Sequence, residues 1–212
     1  MSYSVKEIYA TVQGEGFHTG RPAVFLRFAG CNLWSGFERD RVGAVCQFCD
    51  TDFVGMDGPG GGRFADAPEL ALAVDTAWQR NIGTANRFAV LTGGEPLLQL
   101  DGDLLEALHA RGFEVAIETN GTLPAPPGID WICVSPKSGA ELVQRSGNEL
   151  KLVYPQIGID PGDFEHLRFD HFFLQPMDGS DFERNTDLTI GFCRCSPRWK
   201  VSIQTHKYLG IP

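Results

Sequence analysis

Six short apolar runs constrain this chain more than any other feature. They are residues 23–29 (AVFLRFA), 87–92 (RFAVLT), 114–118 (EVAIE), 131–135 (WICVS), 149–154 (ELKLVY) and 171–175 (HFFLQ). Each is shorter than an ordinary helix and rich in β-branched or aromatic residues, so each reads as a buried strand. Helical patterns fall between them. Asp66 and Glu69 are spaced as a capping box before Leu70, Val74, Ala77 and Trp78. Leu104, Leu105 and Leu108 form a second stripe, closed by Gly112. A third helix is predicted over 186–195, before a final strand at 200–204. Residues 4–11 read as a short edge strand, and the glycine-rich stretch 55–63 (GMDGPGGGR) as a mobile loop that does not pack.

Strands alternating with helices imply a parallel sheet with right-handed crossovers. About six core strands fall short of the eight of a closed barrel. The predicted fold class is therefore α/β, a partial, open parallel β/α barrel. A doubly wound open sheet is the alternative, and periodicity does not separate the two. With 212 residues and no internal repeat or linker, one domain over 1–212 is expected.

Composition narrows the class of function. Hydrophobic residues make up 42% and charged residues 21%, as in globular chains. The formal net charge of −9 argues against a nucleic-acid partner. No apolar run is long enough to span a bilayer, and residues 1–10, with Lys6 and Glu7, have no signal-peptide core. A cytoplasmic location is expected, where grouped cysteines bind metal or do chemistry more often than they form disulfides.

Three of the six cysteines share one loop, residues 30–52. Cys46 and Cys49 are three apart, so one turn can aim both sulfurs at one point, and Phe48 lies between them. Cys31 precedes Cys46 by an insert of fourteen residues, 32–45. Closure entropy grows slowly with loop length, so such an insert can loop out and return. Two readings stand: an iron–sulfur cluster on three thiolates with one iron left open, or a zinc site that recruits His18 or a distant cysteine as fourth ligand. Cys133 is read as a small core residue. Cys193 and Cys195, two apart on a helix, face apart and are read as structural too.

Other polar residues gather at strand ends. Thr92, Gly93, Gly94, Glu95 and Pro96 close one run, and paired glycines let backbone approach a ligand. Cys31, Gly94, Glu118, Ser135 and Gln175 all fall at or just past the C-terminal ends of predicted parallel strands, where sites in such folds lie. Arg27, inside an apolar run, must pair with a carboxylate or meet an anion in a pocket.

Three cysteines with an aromatic residue before the last, followed by Gly93, Gly94, Glu95 and Pro96, resemble the radical S-adenosylmethionine (SAM) superfamily. The usual C-x-x-x-C-x-x-C spacing is not kept. With Gln13, Gly14, Glu15 and Gly16 near the start and Gln204, Thr205, His206 and Lys207 near the end, the whole chain resembles the 7-carboxy-7-deazaguanine synthase family. That resemblance implies a 4Fe–4S cluster on Cys31, Cys46 and Cys49, SAM, and Mg²⁺ at Thr51. It implies a SAM site of Phe48, Cys49, Asp50, Gly94, Glu118, Asn120, Ser135, Pro136, Lys137, Gln175, Pro176, Met177 and Asp178. The substrate, 6-carboxy-5,6,7,8-tetrahydropterin, would meet Val12, Gln13, Gly14, Glu15, Arg27, Thr92, His206 and a carboxylate at Pro212, with the tail 204–212 closing the pocket. Hydrogen abstraction, ring contraction and ammonia loss would follow. The resemblance also implies an electron donor such as flavodoxin and a homodimer. The alternatives are a glycyl-radical-activating enzyme, a zinc-stabilised binding module and a plain iron–sulfur electron carrier.

Overall fold

The computed structural model describes residues 2–83 and 86–212. Met1, at the head of the segment searched for a signal, lies outside them. Nine strands form one sheet among the described residues: β1 (Tyr3–Val12), β2 (Pro22–Phe28), β3 (Gly62–Phe64), β4 (Phe88–Gly93), β5 (Glu114–Thr119), β6 (Trp131–Val134), β7 (Ser146–Tyr154), β8 (Arg168–Pro176) and β9 (Trp199–Val201). Their order is β3-β1-β2-β4-β5-β6-β7-β8-β9. β1 runs antiparallel to both β2 and β3, and every pair from β2 to β9 is parallel. The six predicted core strands are β2 and β4–β8, with β9 as the final strand. The sheet does not close on itself, as expected of a partial barrel.

Among the described residues four α-helices accompany the sheet: α1 (Ala67–Asn81), α2 (Gly102–His109), α3 (Phe182–Cys195) and α4 (Thr205–Leu209). The cap forms at Asp66 as the spacing predicts, with the returning bond one residue earlier than in a strict capping box. The Asp66 side chain accepts from Glu69 N at 3.0 Å, and Glu69 reaches back to Ala65 N at 2.7 Å. Alternation of helix and strand is incomplete, however. Irregular chain joins β5 to β6 and β6 to β7, and only a short 3-10 turn, Pro161–Phe164, lies between β7 and β8.

The strand period of two divides the core. Val24, Ala89, Leu91, Val115 and Ile117 face outward and pack with Leu70, Val74, Trp78, Leu104 and Leu108 of α1 and α2. Each buried Val, Leu or Ile among them contributes about 1.5–3 kcal/mol relative to exposure. A second outer cluster, Val134, Leu150, Leu152, Phe172, Leu174 and Trp199, packs with Phe192 of α3. The intervening residues face the concave side. At the strands' N-terminal ends these are apolar (Ala23, Phe88, Val90, Ala116, with Phe25 and Trp131). At the C-terminal ends they are Arg27, Thr92, Glu118, Ser135, Lys151 and Gln175, which line a cavity.

Two expectations are corrected here. β1 is not the outermost strand, because β3 pairs with its first three residues, Tyr3–Val5. The glycine-rich stretch packs rather than moving free. Pro59 O accepts Ile8 N at 2.7 Å, Gly58 N donates to Lys6 O at 3.0 Å, and residues 62–64 become β3. A Cβ at Gly61 would strike Lys6 O, so the absence of side chains is what lets this segment lie flat on β1.

Candidate functional site

The cysteine loop leaves β2 and returns beside it. Gly30 N donates to Phe53 O at 3.2 Å, closing the two ends, and Gly30 takes φ +90, a conformation suited to glycine. Val45 N and Cys46 N both donate to Leu33 O, at 3.1 and 3.4 Å, so the insert folds back on itself. Arg41 holds the far turn. It pairs with Glu38 at 2.7 Å, lies 4.0 Å over Trp34, and donates to Gln47 O and Cys49 O. Lys6 of β1 pins the chain beyond through Asp52 at 2.9 Å and Asp57 at 2.7 Å.

Cys31, Cys46 and Cys49 all line one cavity of about 460 Å³, within the range of small-molecule sites. Leu33 N donates to Cys31 Sγ at 3.4 Å. The Cys49 thiol is drawn down to about 6, first by a hydrogen bond from Cys46 and then, against burial, by the Thr51 N–H and hydroxyl. Cys46, as the donor of that bond and under burial, is pushed up. Thiolate ligands supported by N–H donors suit an iron–sulfur cluster. Among the described residues no three His, Cys, Asp or Glu side chains converge on a single ion. His18 packs elsewhere, 4.3 Å from the Trp131 ring centroid. The three thiols and their N–H donors are the kind of donor set that an iron–sulfur cluster takes.

The glycine pair meets this loop. A Cβ at Gly94 would collide with Gly30 O and lie 2.7 Å from Cys31 Cβ, so glycine is required where β4 touches the cysteine loop. Glu95 does not face the cavity. It is fully buried and accepts from Thr119 Oγ1 at 2.6 Å, Asn120 N at 2.8 Å and Leu97 N at 3.0 Å, tying the end of β4 to that of β5. Asn120, at the cavity wall, bonds Asn32 Oδ1 at 3.0 Å.

Past β6, Lys137 Nζ donates to Ser135 Oγ at 2.6 Å and stands 6.0 Å from the Phe48 ring centroid. Burial lowers its pKa. Pro136 turns its carbonyl to Gln156 Nε2 at 3.2 Å and is the one predicted site residue outside the cavity lining. Gln175, Pro176, Met177 and Asp178 line the cavity at the end of β8, with Thr92, Asp50 and Thr51 also on its wall.

The opposite wall is ionic. Lys151, 3% exposed, donates to Glu118 Oε2 at 2.6 Å and Glu15 Oε2 at 2.7 Å. Gln13 Nε2 adds a bond to Glu118 Oε1 at 2.9 Å. Burial pushes the Glu15 carboxyl up, but the Lys151 ammonium and the Lys151 and Gln204 hydrogen bonds outweigh it and bring it down to about 2. Arg27 meets the carboxylate that its burial demanded: Nε donates to Glu7 Oε1 at 2.8 Å and Nη2 to Tyr9 OH at 2.9 Å.

The C-terminal segment covers this wall. Thr205 N and Oγ1 both donate to Gly14 O at 2.9 Å, Gln204 Nε2 to Glu15 Oε1 at 2.9 Å, and Thr11 Oγ1 to Pro212 O at 3.0 Å. His206 lies so close to Gly14 that a Cβ there would strike its ring. Val12, Gln13, Gly14, Glu15, His206 and Pro212 all line the cavity.

Below it, Glu149 is 3% exposed. Its Oε2 accepts Phe17 N at 3.2 Å and Trp131 Nε1 at 3.4 Å, while Oε1 has no partner among the described residues. Burial raises its pKa to about 7. Cys133 is buried in β6 as expected. Cys195 is exposed at the end of α3 and packs no core, which corrects its reading as structural.

Sequence reasoning missed Glu7, Tyr9 and Lys151 on the cavity wall, and it placed Gln204 and Lys207 only as part of the closing tail. Lys151 carried a usable signal, a charge between Leu150 and Leu152, of the kind that singled out Arg27.

No family model matches the chain. Curated proteins named 7-carboxy-7-deazaguanine synthase align with it end to end. The one from Bordetella pertussis is 62% identical over 212 residues, and the one from Caulobacter vibrioides 59% identical over 212 residues, each covering 100% of both chains. The crystal structure of QueE from Escherichia coli superposes with a TM-score of 0.67 at 27% identity, covering 97% of this chain and 95% of that one. Identity of that degree over the full length of both partners, on the expected open sheet, places this chain in the 7-carboxy-7-deazaguanine synthase family.

Proposed function

We propose that this chain converts 6-carboxy-5,6,7,8-tetrahydropterin to 7-carboxy-7-deazaguanine with loss of ammonia, by radical SAM chemistry, as one domain over 1–212. One observation carries this. The cysteine loop, the Gly94 strand end and the C-terminal segment, far apart in sequence, meet around a single cavity. A 4Fe–4S cluster held by Cys31, Cys46 and Cys49, with SAM at its open iron, would supply the reductive cleavage and hydrogen-atom abstraction that start the reaction.

The chain's own residues divide the remaining work. Lys137 offers a cation to the SAM carboxylate and Gly94 a bare backbone to its amino group. Phe48 and residues 175–178 flank the adenosine, with Glu118 and Asn120 toward the ribose and Pro136 as the spacer between Ser135 and Lys137. On the substrate side, Arg27 presents its guanidinium fork to the pterin carboxylate, aimed by Glu7 and Tyr9. Glu15, kept ionised by Lys151, accepts from the aminopyrimidinone edge, with Gln13 beside it. Val12, Thr92, His206 and Pro212 complete the enclosure. Thr51 is the side-chain oxygen for Mg²⁺, an ion that takes few protein ligands and keeps waters.

The partners belong to the same proposal: a small-molecule substrate, an electron donor such as flavodoxin, a second copy of the chain, and a cytoplasmic setting. No helix among the described residues is long and apolar enough to cross a membrane.

The test is anaerobic reconstitution with iron and sulfide, then product analysis with the carboxypterin, SAM and a reductant, with and without Mg²⁺. Formation of 7-carboxy-7-deazaguanine, faster with Mg²⁺, is expected. A fully loaded protein that cleaves SAM but leaves the pterin intact would overturn the proposal.

A further inference from the structure

Lys207, on α4, reaches two loops at once. Its Nζ stands 2.7 Å from Asp50 Oδ2 and 2.6 Å from Asp178 Oδ2. Asp50 directly follows Cys49 on the loop after β2, and Asp178 follows β8. Between β2 and β8 the sheet order interposes β4, β5, β6 and β7. Among the described residues β2 and β8 are not paired as strands, and one ammonium bridges the loops that follow them. All three side chains line the main cavity. The residues just before Lys207 hold the other wall, Gln204 on Glu15 and Thr205 on Gly14.

We infer that Lys207 is a positioning residue that draws Asp50 and Asp178 together over the adenosine end of SAM, and that the C-terminal segment thereby couples SAM cleavage to substrate turnover. The inference rests on the SAM site proposed above. Its energetic basis is geometric rather than a matter of fold stability. The Lys207 side chain is 36% exposed and the two carboxylates 52% and 45%, and exposed ion pairs add little to stability. What the pair of bonds fixes is the spacing of two loops, and small misplacements in a site are costly to function.

Three proteins test this: wild type, Lys207→Met and Lys207→Arg, each reconstituted with its cluster. SAM affinity is read by equilibrium dialysis without reductant. Coupling is read as the ratio of 5′-deoxyadenosine to product. Lys207→Met should weaken SAM binding about tenfold and raise that ratio about threefold or more, at unchanged iron content and Tm. Lys207→Arg, able to bridge both carboxylates, should restore most of both. Amide exchange in the cluster-free chain should quicken at Thr205 in Lys207→Met. Unchanged SAM affinity and an unchanged ratio in Lys207→Met would overturn the inference. If Lys207→Met fails to load a cluster, Lys207→Gln serves: weaker SAM binding at full iron content supports the inference, and wild-type affinity overturns it. The wild-type product assay stands apart. Failure there refutes the proposed reaction, while the dialysis comparison still decides the role of Lys207.

Discussion

Lys151 Nζ and Glu118 Oε2 stand 2.6 Å apart inside the barrel, and the same ammonium holds Glu15 at 2.7 Å. With 4% of the Lys151 side chain exposed, these charges rely on one another rather than on water. Removing the cation would leave two carboxylates facing each other in a poorly solvated wall. Lys151→Met should therefore destabilise the fold by about 3–5 kcal/mol and abolish substrate turnover. Denaturant unfolding and product analysis check the two parts separately.

Glu149 predicts a pH effect. Its carboxyl titrates near 7 in the folded chain because burial disfavours the charge, against an ordinary value of 4.5. Between those values the folded state binds a proton that the unfolded state has released. The stability this contributes is complete below the lower value and is lost as pH rises through about 7. Glu149→Gln keeps an oxygen for Phe17 N and Trp131 Nε1 but cannot ionise. It should be more stable than wild type at pH 8, by on the order of 2 kcal/mol, with the advantage gone at pH 5. Urea midpoints at the two pH values decide it.

Cys46→Ala should remove the cluster and with it SAM cleavage, whereas Cys133→Ala should retain both. Iron and labile sulfide per chain, measured anaerobically, give the first comparison, and 5′-deoxyadenosine yield the second. A full cluster in Cys46→Ala would contradict the ligand assignment.

Arg27→Lys should raise KM for the carboxypterin about tenfold or more, with a smaller change in kcat. Lysine keeps the charge but not the fork that Glu7 and Tyr9 orient. An unchanged KM would move the substrate carboxylate elsewhere in the cavity.

Much of this architecture was legible in the sequence because its signals are local. The six apolar runs and the box at Asp66 and Glu69 state their own structure, and Arg27 announced a partner by sitting where a charge is costly. The cysteine loop was legible as a unit, yet its interior was not: Arg41 stacking on Trp34 depends on how the 32–45 insert folds back, which no periodicity encodes. Glu95 read as part of a ligand loop, but it holds β4 to β5 through Thr119, a contact set by strand order. The glycine stretch misled for a related reason. Its lack of side chains suggested mobility, while the same lack lets it lie on β1. Lys207 was hidden because its partners, Asp50 and Asp178, lie far from it along the chain.

The sheet begins and ends in strands of three residues, β3 and β9. A longer outermost strand would offer a run of unsatisfied N–H and C=O groups to any neighbouring chain. Here the end strands are stubs, and each pairs with only three residues of its longer neighbour, Tyr3–Val5 of β1 and Phe172–Leu174 of β8. Beyond Val5 the outer side of β1 is met by residues 58 and 59, through Gly58 N on Lys6 O and Ile8 N on Pro59 O, so the glycine stretch takes over the ladder where the strand gives out.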